Sequence, residues 1–259
     1  MFVWDAQQYL KFSNARTRPA AELLGRISAA SPASAIDLGC GPGNSTELLA
    51  ARWPEAKIIG LDSDEAMLVQ ARKDYPGISF EQADVRAWSK TEGERYPVIY
   101  GNAVLQWLGG HETLFPDLLK RLAPGGTLAI QMPRNYEAPS HASMRKAAAE
   151  SPYADRLVAV RELNSVPGPG FYYDLLADKV SSLDIWETEY TQVMPSVDAI
   201  IDWVRGTGLR PFLAQLNETE QVDFVARYRA ELAKTYPLQK DGSVLFFFKR
   251  IFIVAEGLK

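Results

Sequence analysis

The sequence predicts an α/β fold, a parallel sheet with helices on both faces. Three observations carry this expectation. Short apolar runs alternate with helix-like segments from about residue 33 to 133. A glycine cluster, Gly39-Cys40-Gly41-Pro42-Gly43, follows the first of these runs. The breaker Ala123-Pro124-Gly125-Gly126 ends a helical stretch just before another apolar run.

Taken in order, Ala35-Ile36-Asp37-Leu38 reads as a buried strand, and Ser45 to Arg52 as the helix after the glycine turn. Lys57 to Asp62 is the second strand, followed by a helix from Asp64 to Lys73 with Met67, Leu68 and Ala71 on one face. Further strands are expected at Ile78–Glu81, Val98–Tyr100 and Thr127–Gln131, with a helix over Glu112–Leu122. Beyond residue 134 the alternation stops. A helix is expected at Ser143–Glu150, a loop at Pro167-Gly168-Pro169-Gly170, and strands at 183–190 and from Phe246 to Val254. Two amphipathic helices, Val197–Arg205 and Glu218–Thr235, lie between those strands. This reads as one domain over 1–259, with a cofactor-binding half at 30–133 and insertions at about 134–170 and 196–239 forming a substrate lid. There is no internal repeat or low-complexity tract.

Composition narrows the function. A chain of 259 residues with 47% hydrophobic and 23% charged residues can bury a large core. No run approaches the about 20 apolar residues of a membrane span, and Met1 to Gln8 lacks the basic and apolar regions of a signal peptide. A single cysteine, Cys40, fits a reducing, cytoplasmic setting without disulfides. With only His111 and His141 beside it, no metal site is expected. A net charge of −4 argues against a nucleic-acid partner. Oligomeric state is not legible.

The chemistry concentrates in Asp37-Leu38-Gly39-Cys40-Gly41-Pro42-Gly43-Asn44. Glycines between a strand and a helix let a ligand approach the backbone closely. The spacing is G-x-G-x-G rather than the dinucleotide G-x-G-x-x-G, which counts against a nicotinamide dehydrogenase. Asp37 just before the first glycine would repel pyrophosphate and suit a cationic amino-acid ligand. Asp62 ends the second strand, where a carboxylate can accept two ribose hydroxyls, and Asp84 follows the third, where an acceptor for the adenine amino group is expected.

These residues, with Leu122-Ala123-Pro124-Gly125-Gly126, resemble the motifs of the class I S-adenosylmethionine-dependent methyltransferases. The resemblance implies a Rossmann-like, seven-stranded, mostly parallel sheet with an antiparallel last strand. It also implies S-adenosyl-L-methionine as cofactor and S-adenosyl-L-homocysteine as product. Carried over by position, the cofactor residues are Asp37, Gly39, Gly41, Asn44, Asp62, Ser63, Met67, Asp84, Val85, Asn102 and Trp107, with Asn102 to Trp107 lining the methyl-transfer mouth.

A narrower resemblance covers nearly the whole chain. Trp4-Asp5 with Tyr9, Arg16-Thr17-Arg18-Pro19, Ala103 to Leu108, Gln131 to Asn135, Pro139-Ser140-His141, Tyr172 to Leu176 and Trp203 to Phe212 are similar to the trans-aconitate methyltransferase family. That implies O-methylation of a carboxylate of a small polycarboxylic acid. An acidic protein must gather cations locally to bind such an anion. Arginine's planar fork pairs with carboxylates in a way lysine does not. The acceptor candidates are Arg134, His141, Arg145, Tyr172, Arg205 and Arg210, with Arg205 and Arg210 flanking Gly206-Thr207-Gly208.

A carboxylate of pKa about 4 is ionised at neutral pH, so no catalytic acid or base is nominated and a shallow pH dependence is expected. Three other readings remain open from the residues: methylation of a malonyl thioester, which would want a basic carrier-protein patch; a quinone or phenol methyltransferase, which needs a base; and a non-enzymatic adenosylmethionine sensor.

Overall fold

The computed structural model describes residues 17–161 and 166–259. Trp4, Asp5, Tyr9 and Arg16 lie outside them. Helix α1 (Arg18–Gly25) leads to β1 (Ser34–Leu38), α2 (Asn44–Arg52), β2 (Lys57–Asp62), α3 (Glu65–Asp74), β3 (Ser79–Gln82), α4 (Val85–Lys90) and β4 (Tyr96–Asn102). A 3₁₀ turn (Leu105–Trp107) precedes α5 (His111–Lys120) and β5 (Leu122–Pro133). Then come α6 (Pro139–Ala149), α7 (Val158–Arg161), α8 (Pro169–Leu176), β6 (Val180–Met194), α9 (Val197–Arg205), α10 (Arg210–Leu213), α11 (Glu218–Thr235) and β7 (Val244–Leu258).

The seven strands form one sheet in the order β3-β2-β1-β4-β5-β7-β6, with the last strand antiparallel. Strand β1 is central, and all five of its residues are buried. It pairs in parallel with β2 on one side and with β4 on the other. Winding reverses there, so the loops after β1 and β4 leave the sheet in opposite directions and open a crevice at the carboxyl ends.

Local chemistry explains most element ends. The Asp64 side chain caps α3 by accepting from the Ala66 amide at 2.9 Å. Ser196 caps α9 and Asn217 forms a capping box with Glu220 on α11. Some elements depart from the sequence expectation. Strand β5 starts at Leu122 and runs through Pro124-Gly125-Gly126, because a register irregularity between Tyr96 and Val98 of β4 absorbs the breaker. Helix α6 starts at Pro139 rather than Ser143, and α8 starts at Pro169 inside the expected loop. Both use proline's fixed φ at the start of a helix. Helices α1 and α4 were not anticipated; α1 carries a first-turn proline, Pro19, before an amphipathic run, whereas α4 is six residues long, too short to show a period.

The chain divides into two compact units. The first comprises 1–132, 167–187 and 251–259; the second comprises 133–166 and 188–250. Within the first, Leu68, Ala71 and Phe80 pack with Cys40 under the glycine turn. The second has a core of its own, built from α6, α9, α10 and α11 around Val204, Phe224, Tyr228 and Phe246.

Candidate active site

The crevice of the first unit is built by the loops after β1, β2, β3 and β4. Gly39 and Gly41 have φ of +61° and +56°, the left-handed region that favours glycine. Their spare space serves different ends. A Cβ on Gly39 would collide with the Val104 side chain, so this glycine lets the β1 and β4 loops pack together. A Cβ on Gly41 would meet nothing within 4 Å. Gly41 is therefore the open cradle.

Asp62 ties the crevice together. Its Oδ2 accepts from the Gly41 amide at 2.8 Å and its Oδ1 from the Asp64 amide at 2.9 Å. Each oxygen keeps a lone pair, enough for two further donors. Gln82 Nε2 donates to the Ser63 carbonyl at 3.1 Å, linking the β2 and β3 loops. Asp84 is exposed and caps α4, its Oδ1 accepting from the Ala87 amide at 2.8 Å. Ser63, Met67 and Asn44 are exposed and Val85 is buried.

Asp37 does not present its charge at an open mouth, as the sequence reading had it. It is fully buried. Its Oδ2 accepts from the Ser45 and Thr46 hydroxyls, each at 2.7 Å. Its Oδ1 is buried without a hydrogen-bond partner among the described residues. Burial pushes its pKa up to about 7; the two hydroxyls oppose this and the neighbouring Asp62 charge adds to it.

After β4, Ala103 has φ +58°, a strained conformation for a residue with a Cβ. Gln106 Nε2 donates to its carbonyl at 2.6 Å. Asn102 Oδ1 and Gln106 Oε1 are both buried without a hydrogen-bond partner among the described residues. Trp107 is exposed. The site thus offers an open glycine cradle, a carboxylate with spare acceptor capacity and three orphaned oxygens. These suit a ligand bearing hydroxyls and a cation, and S-adenosylmethionine has both. Sequence reasoning missed Gln106 as an individual residue; its signal would have been an amide three residues past a strained strand end.

The second unit holds five of the six acceptor candidates. His141 and Arg145 lie one turn apart on α6. His141 Nδ1 lies 3.1 Å from Ser140 Oγ, and its Nε2 lies 2.8 Å from where a Gly208 Cβ would stand. The imidazole therefore packs onto the Gly206-Thr207-Gly208 turn, which only a glycine at 208 permits. Burial, and secondarily the Arg145 charge, lowers the His141 pKa to about 4, so the ring is neutral at physiological pH. Arg145 donates to the Tyr136 carbonyl. Its guanidinium lies 3.7 Å over the Tyr136 ring, with Glu137 3.6 Å away. Arg134 is half-buried beside Asn135, whose side chain bonds both the amide and the carbonyl of Lys249. Arg205 and Arg210 are exposed; Arg205 lies 3.9 Å from Asp202, and Arg210 has no ion pair among the described residues.

Tyr172 corrects an expectation. It is fully buried, and its hydroxyl lies 2.8 Å from His111 Nδ1, so it does not face an acceptor. The sequence placed it beside a glycine-proline loop, whereas Pro169 and Gly170 of that run already belong to α8 and Tyr172 is on the helix's buried side.

A methyltransferase-domain family model matches residues 35–126, the stretch that forms this crevice. The chain is 52% identical to a trans-aconitate 2-methyltransferase of Methylobacterium nodulans, over 98% of each chain. It is 49% identical to one of Azoarcus sp., over 98% of this chain and 99% of the relative, and 47% identical to one of Yersinia pseudotuberculosis, over 98% of each. The chain belongs to the trans-aconitate 2-methyltransferase family. It is an S-adenosylmethionine-dependent methyltransferase. Solved structures agree on the fold. The YcgJ protein of Bacillus subtilis aligns with TM-score 0.59 at 12% identity, over 92% of this chain and 97% of that one. A Haemonchus contortus phosphoethanolamine N-methyltransferase in complex with S-adenosylmethionine aligns with TM-score 0.56 at 12% identity, over 98% of this chain and 60% of that one. No helix among the described residues is long and apolar enough to cross a membrane.

Proposed function

We propose that this chain methylates a carboxylate of trans-aconitate, or of a closely related small polycarboxylic acid, giving the monomethyl ester and S-adenosylhomocysteine. The observation that carries this reading is near-half identity to trans-aconitate 2-methyltransferases across 98% of the chain, second unit included. The relatives do not favour the malonyl-thioester alternative.

Bound S-adenosylmethionine supplies an electrophilic sulfonium methyl. The chain's own residues bind, orient and desolvate. Asp62 accepts the ribose hydroxyls on the lone pairs that the Gly41 and Asp64 amides leave open. Gly41 admits the ligand against the backbone, and Asp84 lies toward the adenine. The turn that carries Asn102 and Gln106 lines the methyl-transfer end, and their side-chain oxygens are buried there without a hydrogen-bond partner among the described residues. In the second unit, Arg134, Arg205 and Arg210 hold carboxylates of the acceptor. Arg145 is already engaged by Tyr136 and Glu137, so it contributes positive field rather than a free fork. His141, neutral, shapes the Gly208 turn.

The reacting carboxylate is ionised without help, so rate comes from proximity and exclusion of water. An arginine on the reacting group would stabilise its ground-state charge, so the arginines belong on the spectator carboxylates. The test offers labelled S-adenosylmethionine with a panel of di- and tricarboxylates and identifies the ester formed. Label transferred to a thioester or a phenol, with none to any polycarboxylate, would overturn the proposal.

A further inference from the structure

The loop between β4 and α5 is held from behind. His111, at the start of α5, is almost fully buried, and both its ring nitrogens are engaged. Nε2 lies 2.9 Å from the Leu105 carbonyl, which can only accept, so Nε2 carries the proton. Nδ1 is then the acceptor for the Tyr172 hydroxyl at 2.8 Å, 61 residues away on α8. The two rings pack with Phe115 and Phe171, at centroid distances of 5.1 to 5.4 Å. Buried polar bonds of this kind fix one arrangement where an apolar pair would only fill space.

What the pair holds is the turn with the features expected of a reacting centre. Leu105 opens the 3₁₀ turn Leu105–Trp107. Immediately before it stands Ala103 in its strained conformation, a state that persists only where its surroundings over-determine it. Asn102 and Gln106, with their orphaned oxygens, flank that residue. Val104 fills the space over Gly39, locking the turn to the cofactor loop.

We propose that His111 and Tyr172 are positioning residues for methyl transfer. The Tyr172 hydroxyl sets the His111 tautomer, His111 holds the Leu105 carbonyl, and the turn thereby keeps the strained Ala103 and the Val104 contact over Gly39 in place at the end of β4. This rests on the methyltransferase reading and adds to it two side chains that touch neither substrate.

Three variants separate this from a packing role. H111Q keeps a donor near the Nε2 position for Leu105; H111N keeps an acceptor near Nδ1 for Tyr172 but loses the Leu105 bond; Y172F removes only the hydroxyl. H111N should lower kcat by about tenfold to a hundredfold, the scale of a small misplacement, with S-adenosylmethionine affinity by calorimetry nearly unchanged. H111Q should retain most of the turnover. Y172F should cost a few-fold alone and nothing further in the H111Q background. Amide exchange of residues 103–108 should quicken in H111N and not in H111Q. Equal turnover losses in H111N and H111Q, or a loss that tracks cofactor affinity or thermal stability, would overturn the proposal. If the wild-type protein forms no polycarboxylate ester, the acceptor reading fails separately, and the exchange comparison still decides whether His111 holds the loop.

Discussion

Replacing Asp62 by alanine tests the cofactor site at its most connected residue. The carboxylate accepts the Gly41 and Asp64 amides at 2.8 and 2.9 Å and has capacity for two ribose hydroxyls. A hydrogen bond to a charged group contributes about 1.5–3 kcal/mol. Two would give about 3–6 kcal/mol, but the cofactor-free carboxylate is only half-buried and water offsets part of this. One such bond lost already exceeds the about 1.4 kcal/mol of a tenfold change, so affinity should fall at least tenfold and by as much as about a thousandfold. Stability should fall less, by about 1 kcal/mol for each amide, and less for Asp64, whose bond is exposed, than for Gly41, whose bond is partly buried. D62N sharpens the test, because its one remaining acceptor oxygen cannot serve both amides. Calorimetric titration with S-adenosylmethionine, beside thermal unfolding without it, separates the effects. An unchanged affinity in a folded D62A protein would refute the assignment.

The two glycines should fail differently. Both substitutions strain a positive φ, but G41A adds no collision, so it should lose little stability and lose its thermal shift on adding S-adenosylmethionine, whereas G39A, which also collides with Val104, should unfold at a markedly lower temperature with or without cofactor. R210A should raise the Michaelis constant for trans-aconitate by about tenfold to a thousandfold while cofactor affinity holds, since about 1.5–3 kcal/mol accompanies a bond to charge and Arg210 lies in the second unit. R205A should behave alike, and equal losses for tricarboxylates and truncated acids would show that neither arginine reads the third carboxylate. His141 has a folded pKa of about 4 against an ordinary value of 6.5. Its contribution to stability is present above pH 6.5 and lost as pH falls toward 4, so H141A should flatten the acid limb of a thermal-midpoint profile. Asp37 has the opposite sign: folded pKa about 7 against 3.8. Its contribution is present below pH 3.8 and lost as pH rises through about 7. D37N should therefore stabilise the cofactor-free protein at pH 8 and weaken S-adenosylmethionine binding there, as isothermal titration would read.

Much of the frame was legible because parallel strands leave a simple record. Apolar runs, each followed by a turn residue and a helical period, marked β1, β2 and β4 and put Asp37, Gly39, Gly41 and Asp62 at strand ends. What was not legible depended on contacts distant in sequence. Whether a glycine opens to a ligand or to Val104 depends on a residue 65 positions away, and spacing within the loop does not encode it. Tyr172 read as a site aromatic because its only local context is a glycine-proline run; its partner, His111, lies 61 residues earlier. Arg145 read like any other arginine, and only the fold shows it committed to Tyr136.

Asp37 and Asp62 end neighbouring strands, yet the fold treats them oppositely. Asp62 is half-exposed, and its carboxylate accepts from two amides. Asp37 is fully buried, served by two hydroxyls on one oxygen and by none of the described residues on the other. A site tuned for stability alone would fill that place with an apolar residue or an amide. A carboxylate balanced near neutrality makes sense if a positive charge comes to meet it. Ionising Asp37 is unfavourable in the empty crevice and favourable beside a cation, so part of the binding free energy goes into drawing off its proton. The sulfonium cofactor carries such charge; its demethylated product has lost the sulfonium charge and with it one reason for Asp37 to stay ionised. With the sulfonium beside it, the buried acid would hold the charged cofactor more firmly than the product that must leave, and the D37N titrations at pH 8, run with S-adenosylmethionine and with S-adenosylhomocysteine, test this: equal losses for both would refute it.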